Sequence, residues 1–430
     1  MCARIAAAIL CCCLVALAGP QQPQSGEKPG VAKSPDDTSQ TFASRHLQNE
    51  IERAKRMLQA GSNDQAIALL REVLREKPDN ADAHLLLGTA LALVPERSEA
   101  IKELQKAVDL QPKSAMAYFA LGTAQARFAE FDAARKMFEK AIQLDPTLAN
   151  AHVSLAMILA QQKELAPARE HLVRAIQMQG NTPSAAHTHY LLAQILTEQN
   201  EPEKGLQELI TATSLRPNYA EAYLAAGLIR KNQHNDVEAI KAFKKAVALS
   251  PHDFDAQYQL GATYLRSGEA SQAIAHLQKA SELNPADRPA LYQLCRAFQG
   301  AGRTGEANAC EQKLSTMIQT GLTITANAMT ATKSNNEGVE LEKTGNFAAA
   351  LEKYRAAVKL DPSQTVFKRN LALALCRLDR WEEGSAALKE VLKEDPDDAK
   401  ATKALYIALE NVRAAKTTGT ASGKTQPESK

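Results

Sequence analysis

Prolines recur along this chain at a fixed interval of 34 residues. The interval appears in three runs: Pro78, Pro112 and Pro146; Pro217, Pro251 and Pro285; and Pro362 and Pro396. Self-similarity at this period is typical of a helical solenoid, in which each unit buries its apolar face only by stacking on its neighbours. The repeat therefore constrains the fold more than the length of 430 residues does.

Each period contains the pattern of two helices. In the stretch that ends at Pro146, small and apolar residues are spaced by three and four around Gly122, and again around Phe138. Gly122 and Ala134 would let the two helix axes approach closely, and Phe138 would fill the space beside them. Pro146 would end the second helix, because proline fixes φ and lacks a backbone donor. Good helix formers dominate the composition, and only 5% of residues are aromatic.

This pattern resembles the tetratricopeptide repeat family, whose repeat carries Trp/Tyr, Leu, Gly, Tyr, Ala, Phe/Tyr, Ala and Pro in order. The clearest copies lie at Tyr118, Leu121, Gly122, Ala134, Phe138, Ala141 and Pro146; at Tyr223, Gly227, Ala239, Phe243, Ala246 and Pro251; at Leu260, Gly261, Tyr264, Ala273, Leu277, Ala280 and Pro285; and at Gly338, Ala350, Tyr354, Ala357 and Pro362. The resemblance covers roughly residues 47 to 396. It implies an all-α, right-handed superhelical solenoid whose role is to bind other proteins.

The spacing predicts ten repeats, and it departs from the period in two places. Three extra residues fall within 180–183, and nine fall around 319–330. We predict repeats 1 to 8 over 45–318, an irregular break at 319–330 and repeats 9 and 10 over 331–396. An extended first helix of the ninth repeat is the alternative to the break.

Both termini lie outside the repeats. Arg4 followed by an apolar run from Ile5 to Leu17 predicts a signal peptide over 1–18, cleaved after Ala18. The alternatives are an uncleaved membrane anchor and a lipoprotein, although the residues before the N-terminal cysteines match a lipidation site poorly. Residues 19–44 and 417–430 are polar and predict disorder. The chain is thus expected to be exported, either periplasmic or secreted, with no transmembrane span after cleavage; membrane association is the alternative that an uncleaved or lipidated N-terminus implies.

The last repeat is followed by one more amphipathic segment, which predicts a capping helix over 397–416. Ala401, Leu405 and Ala408 would face inward, and Asp397 and Asp398 suit the helix N-terminus. A solenoid end requires such a cap, because its last repeat has no neighbour.

The resemblance also implies where partners bind, because in this family the first helices of the repeats line the concave surface. The corresponding positions in the N-terminal half are mostly apolar: Leu85, Phe119, Thr123, Val153 and Met157. Those of the middle are Tyr190, Gln194, Leu224, Leu228, Tyr258, Arg266, Tyr292 and Arg296. Since Tyr and Arg are enriched among residues that dominate binding energy, we predict that they hold an extended peptide or a partner's helix. The alternative is that the tyrosines pack between repeats.

Co-chaperone members of the family clamp a C-terminal carboxylate through five Lys, Asn and Arg residues. Here Asn370 and Lys400 match, but Asn335, Val339 and Ala404 replace the other three. Because the missing residues include cations that would neutralise a carboxylate, the sequence predicts no such clamp.

Other chemistry is sparse. The 51 basic and 49 acidic residues balance, so nucleic acid is not expected as a partner. His187 and His189 are two residues apart and would diverge on a helix, and no catalytic, cofactor or metal motif is found. Cys295 and Cys310 fall on the two helices of the eighth repeat and could form a disulfide or diverge.

These observations favour a non-enzymatic, exported scaffold that binds proteins through its groove. The alternative is an accessory docking subunit of an envelope biogenesis, secretion or glycan-synthesis complex.

Overall fold

The computed structural model describes residues 35–94 and 96–421, with side chains over 45–94 and 96–414. Within these ranges every regular element is an α-helix, so the predicted all-α fold is confirmed. The helices are α1 (Pro35–Gln59), α2 (Asn63–Glu76), α3 (Ala81–Leu93), α4 (Arg97–Leu110), α5 (Ala115–Arg127), α6 (Phe131–Leu144), α7 (Ala149–Gln161), α8 (Leu165–Gln179), α9 (Ala185–Glu198), α10 (Pro202–Leu215), α11 (Ala220–Asn232), α12 (Asp236–Leu249), α13 (Phe254–Arg266), α14 (Ala270–Leu283), α15 (Arg288–Gly300), α16 (Thr304–Lys343), α17 (Phe347–Leu360), α18 (Thr365–Arg377), α19 (Trp381–Glu394) and α20 (Ala399–Ala421).

Consecutive helices pack in pairs, as in a tetratricopeptide solenoid. The chain divides into two compact units, one ending at Pro285 and the other beginning at Ala286. The first unit contains seven pairs, from α1–α2 to α13–α14. The second contains α15 to α20. The division follows the seventh pair.

The recurrent prolines end the second helices by acting on the residue before them. In eight places that residue is extended, with φ between −140° and −131° and ψ between 71° and 94°. Proline disfavours the α-helical region for its predecessor because its ring clashes with that residue. The 34-residue interval in the sequence is therefore the interval between helix ends.

The turn from a first helix to its second helix uses one residue in the left-handed region. Glycine fills it at Gly61, Gly268, Gly302 and Gly345, with φ between 73° and 84°, whereas Ala129, Lys163, Asn200, His234 and Asp379 adopt φ between 59° and 65°. Glycine adopts this conformation without steric cost, and other residues lose on the order of 1 kcal/mol there.

Within a pair, a glycine of the first helix meets a large buried side chain of the second. A Cβ atom on Gly227 would lie 2.4 Å from Cε1 of Phe243, and one on Gly122 would lie 2.9 Å from the same atom of Phe138. Both rings are fully buried. The close approach predicted for Gly122 and Phe138 is therefore confirmed.

The segment 319–330 is helical throughout, which corrects the predicted irregular break. Helix α16 runs unbroken from Thr304 to Lys343, so it supplies the second helix of pair 8 and the first helix of pair 9. The hydroxyls of its threonines donate hydrogen bonds to backbone carbonyls of the same helix. Thr323 and Thr325, for example, each donate to the carbonyl four residues earlier. The Thr-rich composition that suggested a break is thereby accommodated within the helix.

Helices also extend into ranges predicted as disordered. Helix α1 begins at Pro35, where proline suits the first turn of a helix, and α20 continues to Ala421. Asp398 caps α20, since its carboxylate accepts from the backbone N–H groups of Lys400 and Ala401, both at 3.0 Å. Ala401 and Ala408 are buried against α19. The predicted signal peptide over 1–18 lies outside the described residues.

Candidate functional site

The predicted groove residues of the first unit differ in how free they are to bind. Leu224 is half-buried on α11, and Tyr258 is half-buried on α13, where its ring stacks on Phe254 with 5.9 Å between centroids. The guanidinium of Arg266 is bonded to both carboxylate oxygens of Asp236 and, at 3.3 Å, to the carbonyl of Lys231. Arg266 therefore links the seventh pair to the sixth, and its charge is already neutralised.

In the second unit, Tyr292 and Arg296 lie four residues apart on α15, and both are exposed, Tyr292 by 51%. Since residues four apart on a helix share a face, they present one patch. In the same unit Asn370 donates to the side-chain oxygen of Asn335 at 2.9 Å. These amides bond to each other across two first helices.

The apolar positions predicted for the N-terminal half of the groove are mostly core. Phe119 and Val153 are at most 1% exposed, and the Phe119 ring lies 5.7 Å from that of Phe138. Thr123 is also buried and donates to the carbonyl of Phe119. These side chains point toward the adjoining helices, because burying their apolar surface is more favourable than leaving it exposed to water in a groove. This prediction is therefore corrected, except that Leu85 remains half-buried and Met157 reaches a pocket.

That pocket lies between the first helices of pairs 4 and 5, α7 and α9. Its volume is about 140 Å³, close to the size of engineered cavities that hold a benzene molecule. The wall is largely apolar and the rim is polar; the lining residues are Ala156, Met157, Ala160, Gln161, Lys163, Leu172, Leu191, Gln194, Ile195 and Glu198. On the rim, Lys163 donates to the carboxylate of Glu198 at 3.0 Å.

The two pairs that form the pocket are joined by a loop with a sequence irregularity, although no residue of that loop lines the pocket. The three extra residues of 180–183 lie in the loop that joins pair 4 to pair 5, between α8 and α9. Gly180 ends α8 with φ 59° and ψ −160°, a conformation available essentially only to glycine. The interval of 71 residues between Pro146 and Pro217 therefore corresponds to a longer loop between these two pairs. Of the pocket residues, only Met157 and Gln194 were among the predicted groove positions.

Beside the pocket, the predicted Tyr190 belongs to an aromatic cluster that the sequence did not predict. Gln194 of the pocket rim donates to the hydroxyl of Tyr190 at 2.8 Å. The Tyr190 ring lies 5.4 Å from that of Tyr219 and 6.1 Å from that of His187. The guanidinium of Arg216 lies 4.9 Å above the Tyr219 ring, in cation–π geometry.

Hydrogen bonding and burial fix this aromatic cluster. Nδ1 of His187 and the hydroxyl of Tyr219 share a 2.8 Å hydrogen bond. Burial and the charge of Arg216 hold the pKa of His187 below its usual range, so its ring is neutral near pH 7. Burial also raises the pKa of the Tyr219 hydroxyl, which keeps it protonated. The cluster is therefore largely internal, and it meets the pocket rim where Gln194 bonds to Tyr190.

Five of the other histidines form a structural series rather than a reactive site. A residue on a first helix bonds to one 19 positions later on the second, as in His84–Glu103 at 2.5 Å, His152–His171 at 2.8 Å, His189–Glu208 at 2.6 Å and Gln257–His276 at 2.8 Å. The prediction that His187 and His189 diverge is confirmed by their different partners. No group of three or more possible metal ligands occurs in the described part of the chain.

The His152–His171 pair has a defined proton arrangement. Nε2 of His152 must donate to the carbonyl of Pro146, which it meets at 3.1 Å, so its Nδ1 accepts from Nδ1–H of His171. Burial lowers the pKa of both rings, and that of His171 falls further through the charge of His152. In pair 7 the amide of Gln257 makes the same two bonds, to Pro251 and His276.

The structure joins Cys295 of α15 and Cys310 of α16 in a disulfide, with their Cα atoms 5.4 Å apart. Both residues are buried. Cys376 is a buried free thiol, and burial raises its pKa. Among residues 35–94 and 96–421, no helix is both long and apolar enough to span a bilayer.

Two sequence models, both of the tetratricopeptide repeat, match this chain. One covers residues 57–127, 237–297 and 341–417, and the other covers 119–186 and 190–254. The chain therefore belongs to the tetratricopeptide repeat family. Its fold is consistent with a scaffold for protein–protein interaction, and the fold suggests protein or peptide partners.

Several solved structures resemble parts of the chain. YrrB, described as a TPR protein with an unusual peptide-binding site, is 23% identical over 44% of this chain and 96% of its own, with a TM-score of 0.38. The Pseudomonas aeruginosa pilF protein is 22% identical over 50% and 96%, with a TM-score of 0.45. PilW, described as a widely conserved type IV pilus biogenesis factor, is 19% identical over 49% and 96%, also at 0.45. These likenesses concern the fold alone. A comparison with curated proteins finds no match.

Proposed function

We propose that this protein is an exported, non-enzymatic scaffold that captures an extended segment of a partner protein on the surface between α7 and α9. The observation that carries the proposal is the apolar pocket beside Tyr190. Export rests on the signal-like residues 1–18, and an envelope or extracellular partner follows from it.

The pocket would take one apolar side chain of the partner. A volume of about 140 Å³ accommodates a branched or aromatic side chain of that size, and burying a Leu or Phe side chain contributes roughly 1.5–3 kcal/mol. Gln161 and Gln194 on the rim can bond to the backbone of the captured segment. The half-buried Tyr190, held against the buried Tyr219, would add aromatic contact next to the pocket, and aromatic residues often dominate such interfaces.

The test uses the exported form of the protein and a displayed library of random extended peptides. Selected peptides are expected to share one large apolar residue. Ala160→Leu, which places a larger side chain in the pocket wall, should weaken their binding at least about tenfold. Ala166→Leu is the matched control, because Ala166 is exposed on α8 and does not line the pocket.

Equal affinities for the two variants would exclude the pocket as the binding site. Tyr258→Ala combined with Arg296→Ala tests the wider predicted groove in the same assay. Proximity labelling in the native host would then separate a free scaffold from a docking subunit of a larger complex. Sequencing the N-terminus of the mature protein would test export.

A further inference from the structure

Every helix pair except pair 8 buries a large side chain at the eighth residue of its second helix. In nine of the ten pairs this residue, which we call the anchor, is Leu, Phe or Tyr and is at most 1% exposed. Examples are Leu104, Phe138, Phe243, Leu277, Tyr354 and Leu388. In pair 8 the second helix is the first half of α16, and its eighth residue is Glu311. Glu311 is exposed and accepts a hydrogen bond from Gln299 at the surface. Pair 8 therefore has no anchor.

The rest of this half of α16 adds little apolar burial. Over residues 304–319, only Ala307 and Cys310 are buried. By contrast, four residues of α12 are buried in pair 6, and they include Ile240 and Phe243. Removing apolar surface from water is the main favourable contribution when two helices pack. The two helices of pair 8 therefore need another interaction to hold them together.

The disulfide between Cys295 and Cys310 lies where the anchor would be. Cys295 is the eighth residue of α15, and the eighth residues of the first helices in pairs 6 and 7 are Gly227 and Gly261. Those glycines face the anchor, since a Cβ atom on Gly261 would lie 2.6 Å from Cγ of Leu277. In pair 8 both cysteines are buried between the two helices. A covalent link thus replaces the contact of glycine with a large side chain.

We propose that pair 8 is a redox switch, which the disulfide holds closed in place of an anchor. While the bridge is intact, α15 is docked on α16, its main packing partner within the second unit. Once a dithiol reduces the bridge, α15 separates from α16. Tyr292 and Arg296, which share one face of α15, then lose their fixed position. The switch acts in the second unit and does not depend on the pocket between α7 and α9.

The reductant is a dithiol, either a small molecule or a protein. One of its thiolates attacks a sulfur of the bridge, the S–S bond breaks, and the other cysteine leaves as a thiolate that takes up a proton. The second thiol of the reductant then attacks the mixed disulfide and releases the remaining cysteine. Two electrons and two protons have passed to Cys295 and Cys310, and the dithiol has become a disulfide. Because both cysteines are buried, the attack requires pair 8 to open.

The experiment measures amide exchange in the full exported protein before and after reduction by dithiothreitol. Intact mass shows that the bridge is present at the start, and a gain of about two hydrogens shows that it has been reduced. Reduction should speed exchange in α15 by about 100-fold, because the bridge joins residues 15 apart and a loop of that size restricts the open chain by this order. Exchange in α11 and α12 should change by less than about twofold, since pair 6 has its own anchor.

Two variants without the bridge test why pair 8 depends on it. Cys295→Gly combined with Cys310→Ala removes the bridge and keeps Glu311, so α15 should exchange as fast as in the reduced protein. Adding Glu311→Leu gives pair 8 the glycine and the leucine that pack together in pair 7. This triple variant should recover protection of α15 to within about tenfold of the oxidised protein. Dithiothreitol should no longer change its exchange.

Three results would overturn the proposal. The first is an exported protein in which Cys295 and Cys310 remain free thiols. The second is exchange in α15 that changes by less than about threefold after complete reduction, because the bridge would then not hold the pair closed. The third is a triple variant that is no better protected than the variant that keeps Glu311. That result would show that the missing anchor is not the reason for the dependence on the bridge.

Discussion

The contact between Gly227 and Phe243 makes a sharp prediction for Gly227→Ala. A Cβ atom at Gly227 would lie 2.4, 2.5 and 2.9 Å from three atoms of the Phe243 ring, whereas carbon atoms in contact are ordinarily about 3.5–4.0 Å apart. The ring is fully buried. It would have to move by about 1 Å within a close-packed interior.

Two effects of opposite sign decide the outcome. Alanine is better than glycine within a helix by about 0.8–1 kcal/mol. Overpacking a core by one methyl group typically costs about 1–3 kcal/mol, and the very short distance here favours the upper end of that range. We therefore expect Gly227→Ala to lower the free energy of unfolding by about 1–2 kcal/mol.

The assay is urea unfolding, followed by amide exchange in α11 and α12, since solenoids can open locally. Gly305→Ala on α16 is the control, because a Cβ atom there would meet nothing within 4 Å. It should be neutral or stabilising by up to about 1 kcal/mol. If Gly227→Ala proved as favourable as Gly305→Ala, the close-approach argument would be wrong.

Three further predictions follow from the local geometry. Ala129→Gly should raise the free energy of unfolding by about 0.5–1 kcal/mol in urea titrations, because Ala129 holds a φ of 62°. Burial keeps the pKa values of His152 and His171 below the value of about 6.5 that histidine has in the unfolded chain. The free energy of unfolding should therefore be highest above about pH 6.5 and should decline as the pH falls below that value. His152→Gln should flatten this decline, which urea unfolding at several pH values measures. Intact mass of the exported protein without reductant should be lower by about two hydrogens than after reduction, and loss of the Cys295–Cys310 bridge should destabilise the second unit by about 3 kcal/mol; an unchanged mass would exclude the bridge.

The parts of the fold that were predictable depend on backbone chemistry that each repeat shares. Proline restricts the residue before it wherever it occurs, so Pro146 and Pro251 mark helix ends without knowledge of the neighbours. The same holds for Gly122, because only glycine leaves room for the Phe138 ring.

The parts that were missed depend on neighbours. Phe119 occupies a position that lines the groove in the family, but here its ring turns into the core against Phe138. Arg266 was predicted to bind a partner, but its guanidinium is bonded to Asp236, 30 residues earlier in the chain. The repeat period alone does not predict that these two side chains meet. The pocket between α7 and α9 depends on how the side chains of neighbouring helices pack, which the spacing of the repeats does not give.

Helix α16 also affects how the second unit can lose structure. Elsewhere a loop separates successive pairs, and unfolding that begins in one pair can stop at such a loop. A break within α16 would instead expose up to four amide and four carbonyl groups on its two new ends, and the helix would have to nucleate again to recover. Pairs 8 and 9 are thus expected to behave as one cooperative unit, in which a partner that protects either pair slows amide exchange in the other.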